Sequence, residues 1–178
     1  MATVDDCLDW MRKFISLPDK FAFNNLSSNR DALTLPAGSY LNFTVKGTAD
    51  VLITDKHFVG DTMAVTNAEV VFELKKRVSP NNHKQAIVQT VISNILATQP
   101  VMIVLTNLKK TWFFYWLEEK KICRLDCLVL KRAITIVESA LTDGAPRHAG
   151  KSDAPPFAKR VLMDVAIGRE PRGEEKSL

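Results

Sequence analysis

Hydrophobic positions change period several times along this chain, and each change marks an expected element. Leu8, Met11 and Ile15, with Cys7 and Phe14 beside them, recur at helical spacing, so a first amphipathic helix is expected to run up to Pro18. Thr3, followed three residues later by Asp6, reads as a variant capping box at its start, where Asp5 and Asp6 also suit the positive end of the helix dipole. From Asn24 to Gly38 the chain is rich in Asn, Ser and Pro and is expected to be loop. Strict alternation then takes over, with Leu41, Phe43 and Val45 on one face and Asn42, Thr44 and Lys46 on the other. Gly47 turns the chain into a strand that starts near Asp50 and continues through Val51, Leu52 and Ile53. Gly60-Asp61 signals the turn into a further strand, on which Val70, Phe72 and Leu74 share a face. Sequential strands with short connections predict an antiparallel meander.

A helix is expected next, from about Asn82 to Thr98. Ile87, Val88, Val91, Ile92, Ile95 and Leu96 cover one broad face of it, and Gln85 and Gln89 lie along the edge. The uninterrupted run Val101 to Leu105 suits a central strand covered on both sides. Thr111 to Leu117 reads as an aromatic strand, Ile122 to Leu130 as another strand, and Ala133 to Leu141 as a closing helix. The order αβββαβ, with further strands after it, predicts an α/β fold: a central mixed β-sheet flanked by helices. Beyond Thr142, closely spaced Gly and Pro predict a flexible tail over 143–178, which leaves 1–142 as the folded domain. The apolar patch Val161 to Ile167 could form a short docking element within that tail.

Composition narrows the function classes only a little. A chain of 178 residues suits one domain with a proper core. Twenty-four Lys and Arg against 20 Asp and Glu, for a formal charge of +4, permit a polyanionic partner without demanding one. The odd count of cysteines, Cys7, Cys123 and Cys127, gives no disulfide framework and fits a reducing compartment. Cys123 and Cys127 have no nearby His or further Cys to complete a zinc site. No apolar run approaches the ~18 residues of a membrane span, so no membrane association is expected. The N-terminus lacks a signal-peptide profile, and the chain reads as intracellular, or as a domain excised from something longer.

The candidate chemistry sits on the Ala68–Arg77 stretch. Glu73 and Lys75, two residues apart on a strand, project side by side from one face. Acid and base alternate on many solvated strands, so the pair alone is weak. Its surroundings strengthen it, because Asp50 opens the preceding apolar strand and Gln85 and Gln89 lie on the following helix. Asp, then Glu-X-Lys, then Gln resembles the PD-(D/E)XK nuclease superfamily. That resemblance implies a restriction-endonuclease-like αβββαβ core and metal-dependent hydrolysis of phosphodiester bonds, with DNA ahead of RNA as substrate. It makes Asp50 and Glu73, with the backbone carbonyl of Leu74, the ligands of Mg²⁺, for which Mn²⁺ could stand in. Lys75 becomes the residue that positions or deprotonates water, with Gln85 or Gln89 beside the site. Asp55 is a rival to Asp50. In many members the first helix adds an acid, here Asp9, for which a solvated or capping carboxylate is the plainer reading. Lys76, Arg77, His83 and Lys84 would grip the phosphate backbone, or form an ordinary solvated loop. Trp112, Phe114 and Trp116 would stack nucleobases if exposed, or fill the core if not.

A narrower resemblance rests on Val71 to Lys75, the Gln-bearing helix and the aromatic strand, and spans roughly Gly38 to Leu141. Here the chain is similar to the nuclease-like domains of Crinkler-type effectors. These are eukaryotic effectors, many of which act in the host nucleus, so nuclear DNA is the implied target. The N-terminal translocation header of such effectors is not found, which fits an excised C-terminal domain. Two other readings stay open: a catalytically inactive module of the same fold that binds nucleic acid or protein, and an unrelated α/β domain.

Overall fold

The structure is a computed structural model that describes residues 3–38, 42–118 and 121–142. Helix α1 (Val4–Phe14) opens with the expected capping box. The Thr3 backbone N–H donates to Asp6 at 2.7 Å, and the Asp6 N–H donates to the Thr3 hydroxyl at 3.2 Å. The bonds that the Thr3 backbone N–H and then the Thr3 hydroxyl donate to the Asp6 carboxylate hold it below its ordinary range. Strands follow at Phe21–Asn25 (β1), Leu33–Leu35 (β2), Val45–Gly47 (β3), Val51–Asp55 (β4) and Ala68–Leu74 (β5). Helix α2 (Pro80–Leu96) leads to β6 (Met102–Thr106), β7 (Trp112–Glu118), β8 (Lys121–Cys127) and helix α3 (Leu130–Leu141).

Among the described residues the main sheet runs β1-β4-β5-β6-β7-β8. Every neighbouring pair is antiparallel except β5 and β6, which are parallel and joined through α2, so the sheet is mixed. With the small β2–β3 sheet set aside, the order α1-β1-β4-β5-α2-β6 is the αβββαβ arrangement expected from the sequence. The alternation along each strand divides the core into two layers. Val51, Val70, Phe72, Val104, Trp112 and Phe114 face α1 and α3. Leu52, Val71, Ile103, Leu105 and Tyr115 face α2 and the β2–β3 hairpin. All five residues of β6 are buried, as an apolar strand in mid-sheet should be.

Two expectations are corrected. The outer strand of the meander is Phe21–Asn25, beside β4 from Phe21↔Asp55 to Asn25↔Val51, and not the 41–46 segment. Among the described residues of that stretch the strand is Val45–Gly47; it pairs with Leu33–Leu35 in a separate sheet, and Phe43 is exposed. Turn-rich composition marked the bends correctly but hid two short strands, because an edge strand has no second neighbour and tolerates Asn. The second correction concerns α2. Its buried face carries Ala86, Gln89, Thr90, Ile92 and Ser93, while Ile87, Val88 and Val91 are exposed. Small and polar side chains let the helix lie close to the sheet over a buried carboxylate, and the larger apolar ones turn outward.

The aromatic strand is core at Trp112 and Phe114, which removes those two from any stacking platform. The expected Gly60 turn is present, with φ of +78° between two short 3₁₀ turns, a backbone state that favours glycine. No helix among the described residues is long and apolar enough to cross a membrane. The segment 143–178, read from the sequence as a tail, lies outside the described residues.

Candidate active site

One residue before the end of β5, Glu73 points under α2, where it is 1% exposed. An ionised carboxylate in such a place needs donors on both oxygens. Three side chains supply them. Gln85 donates to Oε1 at 2.8 Å, Gln89 donates to Oε2 at 2.6 Å, and the Lys75 ammonium pairs with Oε1. Gln85 and Gln89 lie four residues apart on α2, one turn, so both amides reach the same group. Lys75, two residues on from Glu73, leaves the same face of the chain, and its backbone N–H is fixed on Thr106 O at 2.9 Å. Burial pushes the Glu73 carboxyl above its ordinary value, and the Asp50 charge acts in the same direction. The bonds from Lys75 and Gln89 pull it back in part.

Asp50 is the residue immediately before β4. Since Val51 is paired with Phe72 in an antiparallel ladder, Asp50 falls opposite Glu73. Asp50 N–H donates to Phe72 O at 3.1 Å, while Asp50 O accepts from Leu26 N–H at 2.9 Å on the β1 side. Its Oδ2 accepts from Leu74 N–H at 2.7 Å. On the α1 side its charge, with that of Asp6, adds to burial in pushing the Cys7 thiol up. Asp55, by contrast, sits at the far end of β4, roughly 16 Å away at ~3.3 Å per residue. It accepts from His57 N–H at 3.0 Å and starts a 3₁₀ turn. Asp9 is exposed and paired with Arg12 at 3.0 Å.

Asp50, Glu73, Lys75, Gln85 and Gln89 therefore come together, and Leu74 joins them through its N–H. Thr48, which sequence reasoning passed over, also belongs here. Its carbonyl accepts from Gln89 and its hydroxyl lies 3.4 Å from the Gln85 amide. Its one sequence signal was its place two residues before Asp50. Lys76, Arg77 and Lys84 are exposed around the same end of the sheet. His83 behaves differently. Its Nδ1 is hydrogen-bonded to the Tyr115 hydroxyl and its ring sits edge-on to Phe113, 4.5 Å between centroids. Burial, then the Arg124 charge, holds His83 below its ordinary value, which makes it a poor cationic contact.

The donor set suits a hard cation in kind. An ionised carboxylate offers about four lone-pair sites; Glu73 accepts three donors and Asp50 is seen to accept one. Free oxygen sites thus remain on both. Among the described residues no three His, Cys, Asp or Glu side chains cluster as a metal site. Two carboxylates suffice for Mg²⁺, which keeps several of its waters.

No family model matches the chain, and no solved structure matches it. Comparison with curated proteins does find relatives. One is Crinkler effector protein 63 of Phytophthora sojae, 33% identical over 75 residues, covering 38% of this chain and 17% of the relative. The likeness is to Crinkler effectors. Crinkler effector protein 2 of Phytophthora infestans is 30% identical over 96 residues, 52% of this chain and 21% of that protein. Crinkler effector protein 161 of Phytophthora sojae is 26% identical over 114 residues, 59% of this chain and 25% of the relative. The chain thus matches no more than a quarter of the length of these Crinkler proteins.

Proposed function

We propose that this chain is a nuclease-fold domain of the PD-(D/E)XK type that hydrolyses phosphodiester bonds, DNA ahead of RNA, as part of a Crinkler-type effector. The observation that carries the reading is the buried Glu73 carboxylate, held by Lys75, Gln85 and Gln89 with Asp50 opposite on the neighbouring strand. Asp50 and Glu73 would hold Mg²⁺ or Mn²⁺. Bound there, the ion supplies charge neutralisation at the phosphate and a more acidic water. Gln85 and Gln89 fix the orientation of Glu73, so its position is set before substrate arrives. Lys75, half-buried beside it, orients the attacking water and stabilises negative charge as it develops.

A second reading has its own support. Glu73 accepts from Lys75, Gln85 and Gln89, and a buried polar network of this kind also suits a domain that keeps the fold for binding alone. One experiment separates the two. The purified chain is incubated with plasmid, linear DNA and RNA in Mg²⁺, Mn²⁺ or EDTA. Cleavage that needs metal and is lost in Glu73→Gln supports the hydrolase. Binding without cleavage under every condition supports the binding module. The effector assignment rests on the names of the relatives and carries with it an expectation of the host nucleus. A fluorescent fusion that stays outside the nucleus of host cells would overturn that location.

A further inference from the structure

Helix α2 and the β2–β3 hairpin face each other across an open groove of ≈ 380 Å³. Arg30 and Lys46 line it from the hairpin side, Lys84 from the helix, and Thr48, Gln85 and Gln89 lie along it. The hairpin is a fixed wall. Leu33 and Leu35 are buried beneath it, and a Cβ added at Gly47 would meet the Leu33 Cβ at 3.3 Å and the Ile92 side chain at 3.6 Å.

The groove is cationic, and none of the residues lining it is acidic. Lys46 does pair with Asp31 at 2.8 Å, but both partners are about two-thirds exposed, and such a pair holds weakly against a competing anion. Arg30 brings a planar fork of donors suited to phosphate oxygens. Val88, exposed on α2, adds an apolar strip that a sugar or base can cover. Gln85 and Gln89 connect the groove to the candidate site, since both line it and both donate to Glu73.

We infer that this groove holds the phosphodiester backbone of one nucleic-acid strand, with Arg30, Lys46 and Lys84 on successive phosphates leading to Glu73. The inference rests on the nuclease-fold reading and gives its substrate a path: over the hairpin, and not only over the loop that carries Lys76 and Arg77. Arg30 and Lys46 belong to the segment that carries the hairpin, which lies between β1 and β4 in the chain.

The test is fluorescence anisotropy with labelled single- and double-stranded oligonucleotides in EDTA, across a salt series. Arg30→Ala, Lys46→Ala and Lys84→Ala are compared with the parent and with Lys131→Ala on α3, at the opposite face of the sheet. All four residues are exposed, so circular dichroism should be parent-like. Each groove variant should lose roughly three- to tenfold in affinity at ~0.1 M salt, and its log–log salt slope should fall by about 0.7–0.9. Lys131→Ala should bind like the parent. Parent-like binding by Arg30→Ala and Lys46→Ala would overturn the groove and leave the nuclease-fold reading standing. An equal loss in Lys131→Ala would reduce the groove to diffuse charge and overturn it as well. Failure of the unmodified chain to bind any oligonucleotide would remove the nucleic-acid reading and the groove together.

Discussion

Gln89 donates from its side-chain amide to the Glu73 carboxylate at 2.6 Å, and neither residue is more than 1% exposed. A buried charge held by a neutral amide from a facing helix explains why α2 turns a partly polar stripe toward the sheet. It also makes both residues sensitive to substitution for reasons that can be measured apart from any activity.

Removing the amide should destabilise the fold. Gln89→Leu keeps most of the volume but takes from Glu73 Oε2 the amide that donates to it, a loss of about 1–3 kcal/mol. Urea denaturation of variant and parent measures it. Parent-like stability would mean that water or a shifted Gln85 replaces the bond at no cost.

Glu73→Gln tests the burial of the charge through its pH dependence. The folded-state value of Glu73 is raised above the ordinary 4.5, so the folded protein resists ionisation that the unfolded chain accepts. Stability from this group is therefore full below about pH 4.5 and falls as pH rises through the folded value. Glu73→Gln lacks that loss. Its melting temperature relative to the parent should climb from pH 4 upward and then level off. A difference that moves the other way would show that Lys75 and the amides outweigh burial.

Lys75→Ala and Lys76→Ala should part company if the hydrolase reading holds. Lys75 is assigned to the water and the transition state, so its loss should abolish cleavage and largely spare binding. Lys76, exposed on the loop, should weaken binding modestly and soften its salt dependence. Paired binding and cleavage assays read both quantities. Matching behaviour of the two variants would remove Lys75 from the chemistry.

The orientation of α2 can be tested without substrate. Ile87→Gln and Val91→Gln alter exposed positions and should change stability by no more than about 0.5 kcal/mol. Ile92→Ala empties a buried one and should cost about 2–5 kcal/mol. Large losses at Ile87 and Val91 would mean that the helix is rotated from its position here.

Local pattern was enough for the elements that carry their own signal. Thr3 and Asp6 announce α1 because a capping box is made of residues three apart, and the apolar run 102–105 announces a strand covered on both faces. Glu73 and Lys75 were legible as a pair because strand alternation places i and i+2 on one face. The αβββαβ order also follows from the sequence, although local alternation points to 41–46 for one of its strands and the structure has Phe21–Asn25.

Tertiary structure decided what depends on partners far away in the chain. An edge strand such as Phe21–Asn25 is defined by its neighbour β4, so its own five residues hold little evidence of it. The choice between Asp50 and Asp55 depended on register. Antiparallel pairing brings one end of β4 beside Glu73 and sends the other end to the start of β5. The face of α2 was decided by a charge on another element. Periodicity assigns the inward face to the largest apolar side chains, but the buried Glu73 carboxylate must have donors, and the helix supplies them by turning Gln85 and Gln89 onto it. His83 moved from the basic loop to Tyr115 for a related reason, since a contact between residues 32 apart in sequence has no trace in local spacing.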